Sequence, residues 1–402
     1  LISSKEKPQR VFDTIYAHTA VTDQLAKEIS RQQLPSAILF HGNRYTARLS
    51  TALETARQLS CSQHGDPDCT CSSCTSLRTL THPYTMTLCC RDHNGELAAM
   101  KDLLARKKDA KSRDAFIRTL RKVIGSYNNA FFEAATQAKK QDFTAAHEID
   151  QMLTEMEDLD ISSRLAEVLK LSEKSLKRIE KLNKGISKPL PVRHIRMIGT
   201  HLRNRGAEHN RIVILEGVDL MNEAAANSLL KILEQPPERC YFILIATSQH
   251  SVLPTILSRV RPYHFRDRES FDQQQVIGHI FQDTAGQYPD LDSYFQQKQG
   301  IDWRELEKMA EDYLLTAMKQ RVTGDLHIQQ IITQVAKKGL MDLFMRNLTN
   351  LLYSSYENNY ITASAAQDIL RMASDAKSRS EVYNQGDALM LETLYYRIAQ
   401  IS

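Results

Sequence analysis

Glycine and proline are scarce in this chain, 14 and 11 residues out of 402, about half of their usual combined share. That scarcity excludes turn-dense all-β architectures and Gly/Pro-rich or collagen-like chains, and it predicts a mostly helical protein. No apolar run approaches the roughly 18 residues of a membrane span; the strongest, residues 212–215 and 241–246, have the length of strands. Charge of one sign is lacking as well. Lys and Arg number 52 against 48 Asp and Glu, a formal net charge of +4, too little over this length to signal nucleic-acid binding by charge alone. Any DNA contact must therefore be local. Residues 1–10 are polar and charged with no apolar segment behind them, which is not the pattern of a secretory signal, and the expected compartment is the cytoplasm. At about 150 residues per domain, the length predicts two to three domains with sizeable cores.

What is present is uneven along the chain. Residues 212–215 (IVIL) and 241–245 (YFILI) are unalternating and rich in branched side chains, the signature of strands buried on both faces of a parallel sheet. Residues 37–40 and 84–89 are shorter strand candidates, and a helix closed by Gln235-Pro236-Pro237 separates the two best strands, which predicts an α/β sheet domain. From about 95 to 188 the alternation stops. This stretch is dense in charge, with Leu165, Val168, Leu169, Leu176, Ile179 and Leu182 at helical spacing, and reads as a long helical insertion or hairpin with a solvated charged face. Beyond Arg266 the pattern is helical to the end, with Leu340, Phe344, Leu348, Leu351 and Leu352 marking an amphipathic helix whose apolar face is either core or an intersubunit surface.

Residues 40–50 (FHGNRYTARLS) lie between a strand candidate and a helix, where a phosphate-binding loop would sit. The pattern G-x-x-x-x-G-K-[ST] cradles phosphates with backbone N–H groups, neutralises them with Lys and places a hydroxyl on Mg²⁺. Only Gly42 matches; Ala47, Arg48 and Leu49 replace the second Gly, the Lys and the hydroxyl, so an ordinary strand-to-helix turn is the competing reading. Four of the seven cysteines, Cys61, Cys69, Cys71 and Cys74, fall within fourteen residues. In a reducing compartment such crowding points to metal rather than disulfides, and four thiolates suit structural Zn²⁺. His64 is a possible substitute ligand. Cys89, Cys90 and Cys240 border strands and read as buried free thiols.

Residues 211–237 (RIVILEGVDLMNEAAANSLLKILEQPP) decide the kinship. They closely resemble the clamp-loader subunits of bacterial DNA polymerase III, AAA+ proteins in which an acidic strand is followed by an A-A-N-A-L-L-K-x-L-E-E-P-P helix. Residues 253–260 (LPTILSRV) resemble that family's L-P-T-I-x-S-R-C segment, residues 12–16 its opening segment, and residues 192–198 the element leading to the acidic strand. The likeness covers about 11–95 and 190–266. It implies an AAA+ α/β module, a parallel sheet with flanking helices, over residues 1–266, containing the Cys-rich module at 61–74 and the helical insertion at about 95–188. A small helical lid at 267–325 and a helical collar at 326–402 would follow, the collar holding subunits in a ring.

In hydrolysing members the acidic strand ends D-E-A-D; here it reads Glu216-Gly217-Val218-Asp219, and Gly217 has no group with which to orient water. The resemblance implies that Gly42, Arg48, Glu216 and the sensor residue Thr247 form a vestigial nucleotide pocket. Arg259, preceded by Ser258, would act in trans as an arginine finger on ATP held by the neighbouring subunit; the competing reading of Arg259 is a surface salt bridge. The combination is most like the delta-prime type, a non-hydrolysing subunit. Its expected partners are the gamma/tau and delta subunits and, through the complex, the sliding clamp and primer-template DNA. The family's zinc module has the spacing C-x₈-C-x₂-C-x₂-C; the gaps here are seven, one and two residues, which displaces Cys69. Two alternatives are an active gamma/tau-type ATPase and a zinc-containing AAA+ adaptor that recruits a partner through its insertion.

Overall fold

The computed structural model describes residues 12, 15–63, 65–66, 68–89, 91, 93–127, 137–183, 190–204, 208–284, 286–319, 321, 324–383 and 385–400. His64 and Cys90 lie outside them. The chain forms two compact units, Leu1–Gln299 and Gly300–Ser402. The expected lid is divided between them.

The first unit is built on five strands, β1 (Ala37–His41), β2 (Thr85–Leu88), β3 (Arg211–Glu216), β4 (Cys240–Ala246) and β5 (Arg261–His264), in the order β2-β3-β4-β1-β5. Every pairing is parallel, with Leu39 opposite Leu244, Val213 opposite Phe242, Thr87 opposite Ile214 and Phe40 opposite Tyr263. All six residues of β3 are buried, as its unbroken apolar run predicts. Successive side chains alternate between two helical layers. Ile38, Phe40, Ile212, Ile214, Ile243 and Ile245 pack on one side with α1 (Thr19–Ser30), α2 (Arg48–Ser60) and α3 (Ser72–Arg78). Leu39, Val213, Leu215, Phe242 and Leu244 pack on the other with α8 (Val192–Asn204), α9 (Glu223–Glu234) and α10 (Pro254–Leu257). The strand β5 was not expected. It contains Pro262 and only Tyr263 of its four residues is buried, so it carries no hydrophobic run; as an edge strand it tolerates the proline.

The described residues of the expected insertion carry four helices, α4 (Asn94–Lys107), α5 (Ala110–Ile124), α6 (Gln137–Asp158) and α7 (Ile161–Asn183), the last kinked at Arg164. The helices α6 and α7 form a hairpin, and Val168, Ile179 and Leu182 are buried in it. Arg121 ties α5 to α6 with a two-pronged hydrogen bond to Glu157, at 2.6 and 2.8 Å, and a third contact to Asp150. This group is no appendage. Its core is continuous with Val276, Ile277, Phe281, Leu291, Tyr294 and Phe295 on and beside α11 (Ser270–His279) and α12 (Leu291–Lys298), so the start of the expected lid packs on the start of the expected insertion.

The second unit comprises α13 (Trp303–Ala317), α14 (Asp325–Lys337), α15 (Met341–Glu357), α16 (Ala363–Tyr383) and α17 (Asp387–Ala399) around Tyr313 and Phe344. Leu340, Phe344, Leu348 and Leu352 are buried in this core and Leu351 is half-buried, so that stripe is interior, not an outer surface. No helix among the described residues is long and apolar enough to cross a membrane.

Candidate functional site

In an open parallel sheet the carboxyl ends of the strands, where connections diverge to opposite sides, form the natural crevice for a site. Here β1 sits between β4 and β5, and the loop following it, residues 42–47, delivers the chain to α2. Gly42 has φ +152°, and a Cβ there would stand 2.1 Å from the carbonyl oxygen of Phe265. Tyr45 and Ala47 both adopt the left-handed conformation, at φ +61° and +60°. The loop thus follows a strongly curved path without a second glycine, at a cost of about 1–2 kcal/mol for each such residue.

Arg48, in the place of the phosphate-binding Lys, is 2% exposed, and its Nη1 donates to the carbonyl of Ala246 at the end of β4. Burial, reinforced by the nearby Arg91 charge, lowers its pKa to about 9. Its guanidinium is committed to the sheet. Leu49 packs toward the sheet core. The nearby hydroxyls of Thr46 and Thr51 donate to the carbonyls of Asn43 and Ala47, at 2.8 and 2.9 Å.

Glu216 ends β3 and is 2% exposed. Burial disfavours its charge, but Arg91, His93 and Arg48 outweigh that and hold its carboxyl at about 2. Arg91 Nε lies 3.3 Å from one carboxylate oxygen. Gly217 follows at φ +84°, donates its N–H to the Ile245 carbonyl at 2.9 Å, and opens the 3-10 turn Val218–Leu220. This left-handed backbone conformation favours glycine over any residue with a side chain. Asp219 accepts from both the backbone N–H of Thr247, at 2.9 Å, and its hydroxyl.

The four expected pocket residues do not share one chamber. Arg48 and Glu216 line a cavity of about 750 Å³, whereas Gly42 and Thr247 line a second of about 560 Å³ with His41, His250 and His264. The larger cavity has apolar walls from Met100, Phe281 and Phe295 and cationic ones from Arg91, Arg118, Lys122 and Arg268. These four were not anticipated. They carry no motif, and their charges are indistinguishable in sequence from a solvated face.

Arg259 stands one residue beyond the C-cap of α10, away from both cavities. Its side chain is 35% exposed and bonds to Glu234 Oε1 at 2.7 Å, the Thr255 carbonyl at 2.9 Å and Ser258 Oγ at 3.1 Å.

The thiols of Cys61, Cys69, Cys71 and Cys74 lie within 4.8 Å of one another. Cys61 and Cys69 sulfurs are 3.6 Å apart, close to the roughly 3.8 Å edge of a tetrahedron with 2.3 Å Zn–S bonds. Cys69 therefore belongs with the other three despite its shifted spacing. Arg57, 3% exposed, organises the loop: it donates to the carbonyls of Gly65 and Asp66, at 2.9 and 2.8 Å, and to Cys74 Sγ at 3.2 Å. Backbone N–H groups of Cys74 and Ser62 draw the Cys71 thiol below its ordinary pKa. This donor set could hold a soft or borderline metal ion.

Comparison with known proteins settles the kinship. A family model described as "DNA polymerase III, delta subunit" matches residues 17–124 and 125–269, more than half of the chain. The chain belongs to that family. Similar curated proteins include the DNA polymerase III subunit delta' of Buchnera aphidicola subsp. Baizongia pistaciae, 37% identical over 79 residues, and that of Haemophilus influenzae, 41% identical over 68 residues. The subunit tau of Bacillus subtilis is 37% identical over 70 residues. These stretches are 19%, 17% and 17% of this delta-family chain, and they span only 24%, 20% and 12% of the three relatives. A DNA polymerase III gamma subunit-related protein from Thermotoga maritima aligns at 20% identity over 53% of this chain and 80% of that one, with a TM-score of 0.29.

Proposed function

We propose that this chain is a delta-prime-like subunit of the DNA polymerase III clamp loader, one that does not hydrolyse ATP and supplies Arg259 and a rigid interface to an adjacent ATPase subunit. The observation that carries this reading is the commitment of Arg48. The residue that would neutralise phosphate is buried against the Ala246 carbonyl, Leu49 offers no hydroxyl to Mg²⁺, and Gly217 offers no carboxylate to water. Arg259, by contrast, sits on the surface, and its ion pair with Glu234 is of the exposed kind that contributes about 0–1 kcal/mol. Cys61, Cys69, Cys71 and Cys74 hold a structural Zn²⁺, and ATP binds in the neighbouring subunit. Gamma/tau and delta subunits are the direct partners, the sliding clamp and primed DNA are engaged through the complex, and the cytoplasm is the site of action. Co-expressed with the gamma/tau and delta subunits of its own organism, the chain is expected to co-purify as one complex that loads clamps on primed DNA. Failure to associate with either subunit would sink the assignment.

A further inference from the structure

The register of β2 and β3 brings together a second group of side chains of metal-ligating type that no sequence pattern announces. Thr87 faces Ile214 and Leu88 faces Leu215, so the residues that follow, Cys89 and Glu216, emerge side by side at the carboxyl edge of the sheet. His93, the N-cap residue of α4, closes over them. Cys89 is 2% exposed, His93 8% and Glu216 2%, and one donor atom from each lies within 4.8 Å of the other two. We propose that Cys89, His93 and Glu216 form a second metal centre, a buried S, N, O site for Zn²⁺ or a similar borderline divalent cation, separate from the four-cysteine module.

Three observations converge on it. First, His93 Nε2 and Glu216 Oε2 are both buried without a hydrogen-bond partner, yet they face each other at 3.6 Å. That is too long for a hydrogen bond. It suits two ligands of one ion: with bonds of about 2.0–2.1 Å, the separation corresponds to an angle of roughly 120° at the metal. Second, the outer contacts are those that metal ligands require. His93 Nδ1 faces Glu96 Oε2 at 3.4 Å, and Glu96 is itself held by Lys122, a carboxylate placed to take the Nδ1 proton of a histidine that ligates through Nε2. Arg91 occupies only Glu216 Oε1, leaving Oε2 for the ion. The backbone of Cys89 is clamped by Ser126, whose hydroxyl accepts from its N–H at 3.1 Å and donates to its carbonyl at 3.0 Å. Third, His93 and Glu216 line the 750 Å³ cavity, which provides an access path and room for water as fourth ligand. A thiolate and a carboxylate neutralise the dication; Glu96 and Lys122 pair with each other, and Arg48 and Arg91 are the remaining charges facing the group.

The test is metal content and cobalt spectroscopy of the full chain. After exhaustive dialysis, Cys89→Ala and His93→Asn are each expected to hold one Zn²⁺ fewer per chain than the parent, with far-UV circular dichroism unchanged. A chain in which Cys61, Cys69, Cys71 and Cys74 are all replaced by Ser, reconstituted with Co²⁺, is expected to show a single-thiolate charge-transfer band that disappears when Cys89→Ala is added. Equal metal content in the parent and both single variants, or a cobalt band that survives Cys89→Ala, would overturn the site.

Discussion

Replacing Arg259 with alanine is expected to lower ATP hydrolysis by the assembled clamp-loader complex about 10³-fold or more, while changing the stability of the isolated chain by less than about 1 kcal/mol. The asymmetry follows from where Arg259 sits. Its contact with Glu234 is an exposed ion pair at 2.7 Å, and such pairs are worth about 0–1 kcal/mol, so leaving it to reach a neighbouring subunit costs little. An arginine delivered to the charge developing on a transferred phosphoryl group contributes roughly 10³–10⁵ in rate, about 4–7 kcal/mol of transition-state stabilisation. Arg259→Lys should restore only part of the rate, because an ammonium lacks the planar fork of a guanidinium. The measurement is steady-state phosphate release by the complex at saturating ATP. An undiminished rate with Arg259→Ala would leave the residue as the salt bridge that it forms with Glu234.

Gly42→Ala is expected to destabilise the first unit by about 3–5 kcal/mol, read as a shift in the urea midpoint. The motif interpretation of Gly42 concerns phosphate; the fold imposes a stronger demand. A Cβ would meet the backbone carbonyl oxygen of Phe265 at 2.1 Å, and no side-chain rotation relieves a clash with main chain. Phe265 is fully buried against Phe40 and its N–H donates to the His41 carbonyl at 2.8 Å, so the β1 and β5 ends cannot separate without opening the core. A loss below about 1 kcal/mol would show that this junction yields more readily than its geometry implies. Gly42 would then have been retained by a glycine-tolerant turn alone.

Much of the sheet was legible because β1, β3 and β4 are interior strands, whose two buried faces force unbroken apolar runs. The edge strand β5 has no such constraint, and Arg261-Pro262-Tyr263-His264 gives no signal. The cysteine module was legible by crowding, with Cys69 among its four thiols although the spacing differs from the family's; the loop reaches its place through Arg57, nine residues from Asp66 and seventeen from Cys74. The phosphate loop was half legible. Sequence places Arg48 where a Lys is wanted but does not show that its guanidinium turns into the sheet, a choice set by the Ala246 carbonyl on a distant strand. Cys89, His93 and Glu216 were illegible as a group because strand register, not spacing, unites them. The packing of α11 and α12 on α4 was hidden for the same reason, since Phe281 and Phe295 meet Met100 only in the folded core.

The central claim, that this subunit lends an arginine and hydrolyses nothing itself, is tested most directly by phosphate release from the purified chain with ATP and Mg²⁺, in the absence of any other subunit. The account predicts release no faster than that of buffer, unaltered by Arg48→Ala. Turnover above that background, abolished by Arg48→Ala, would contradict it and make the chain an ATPase in its own right.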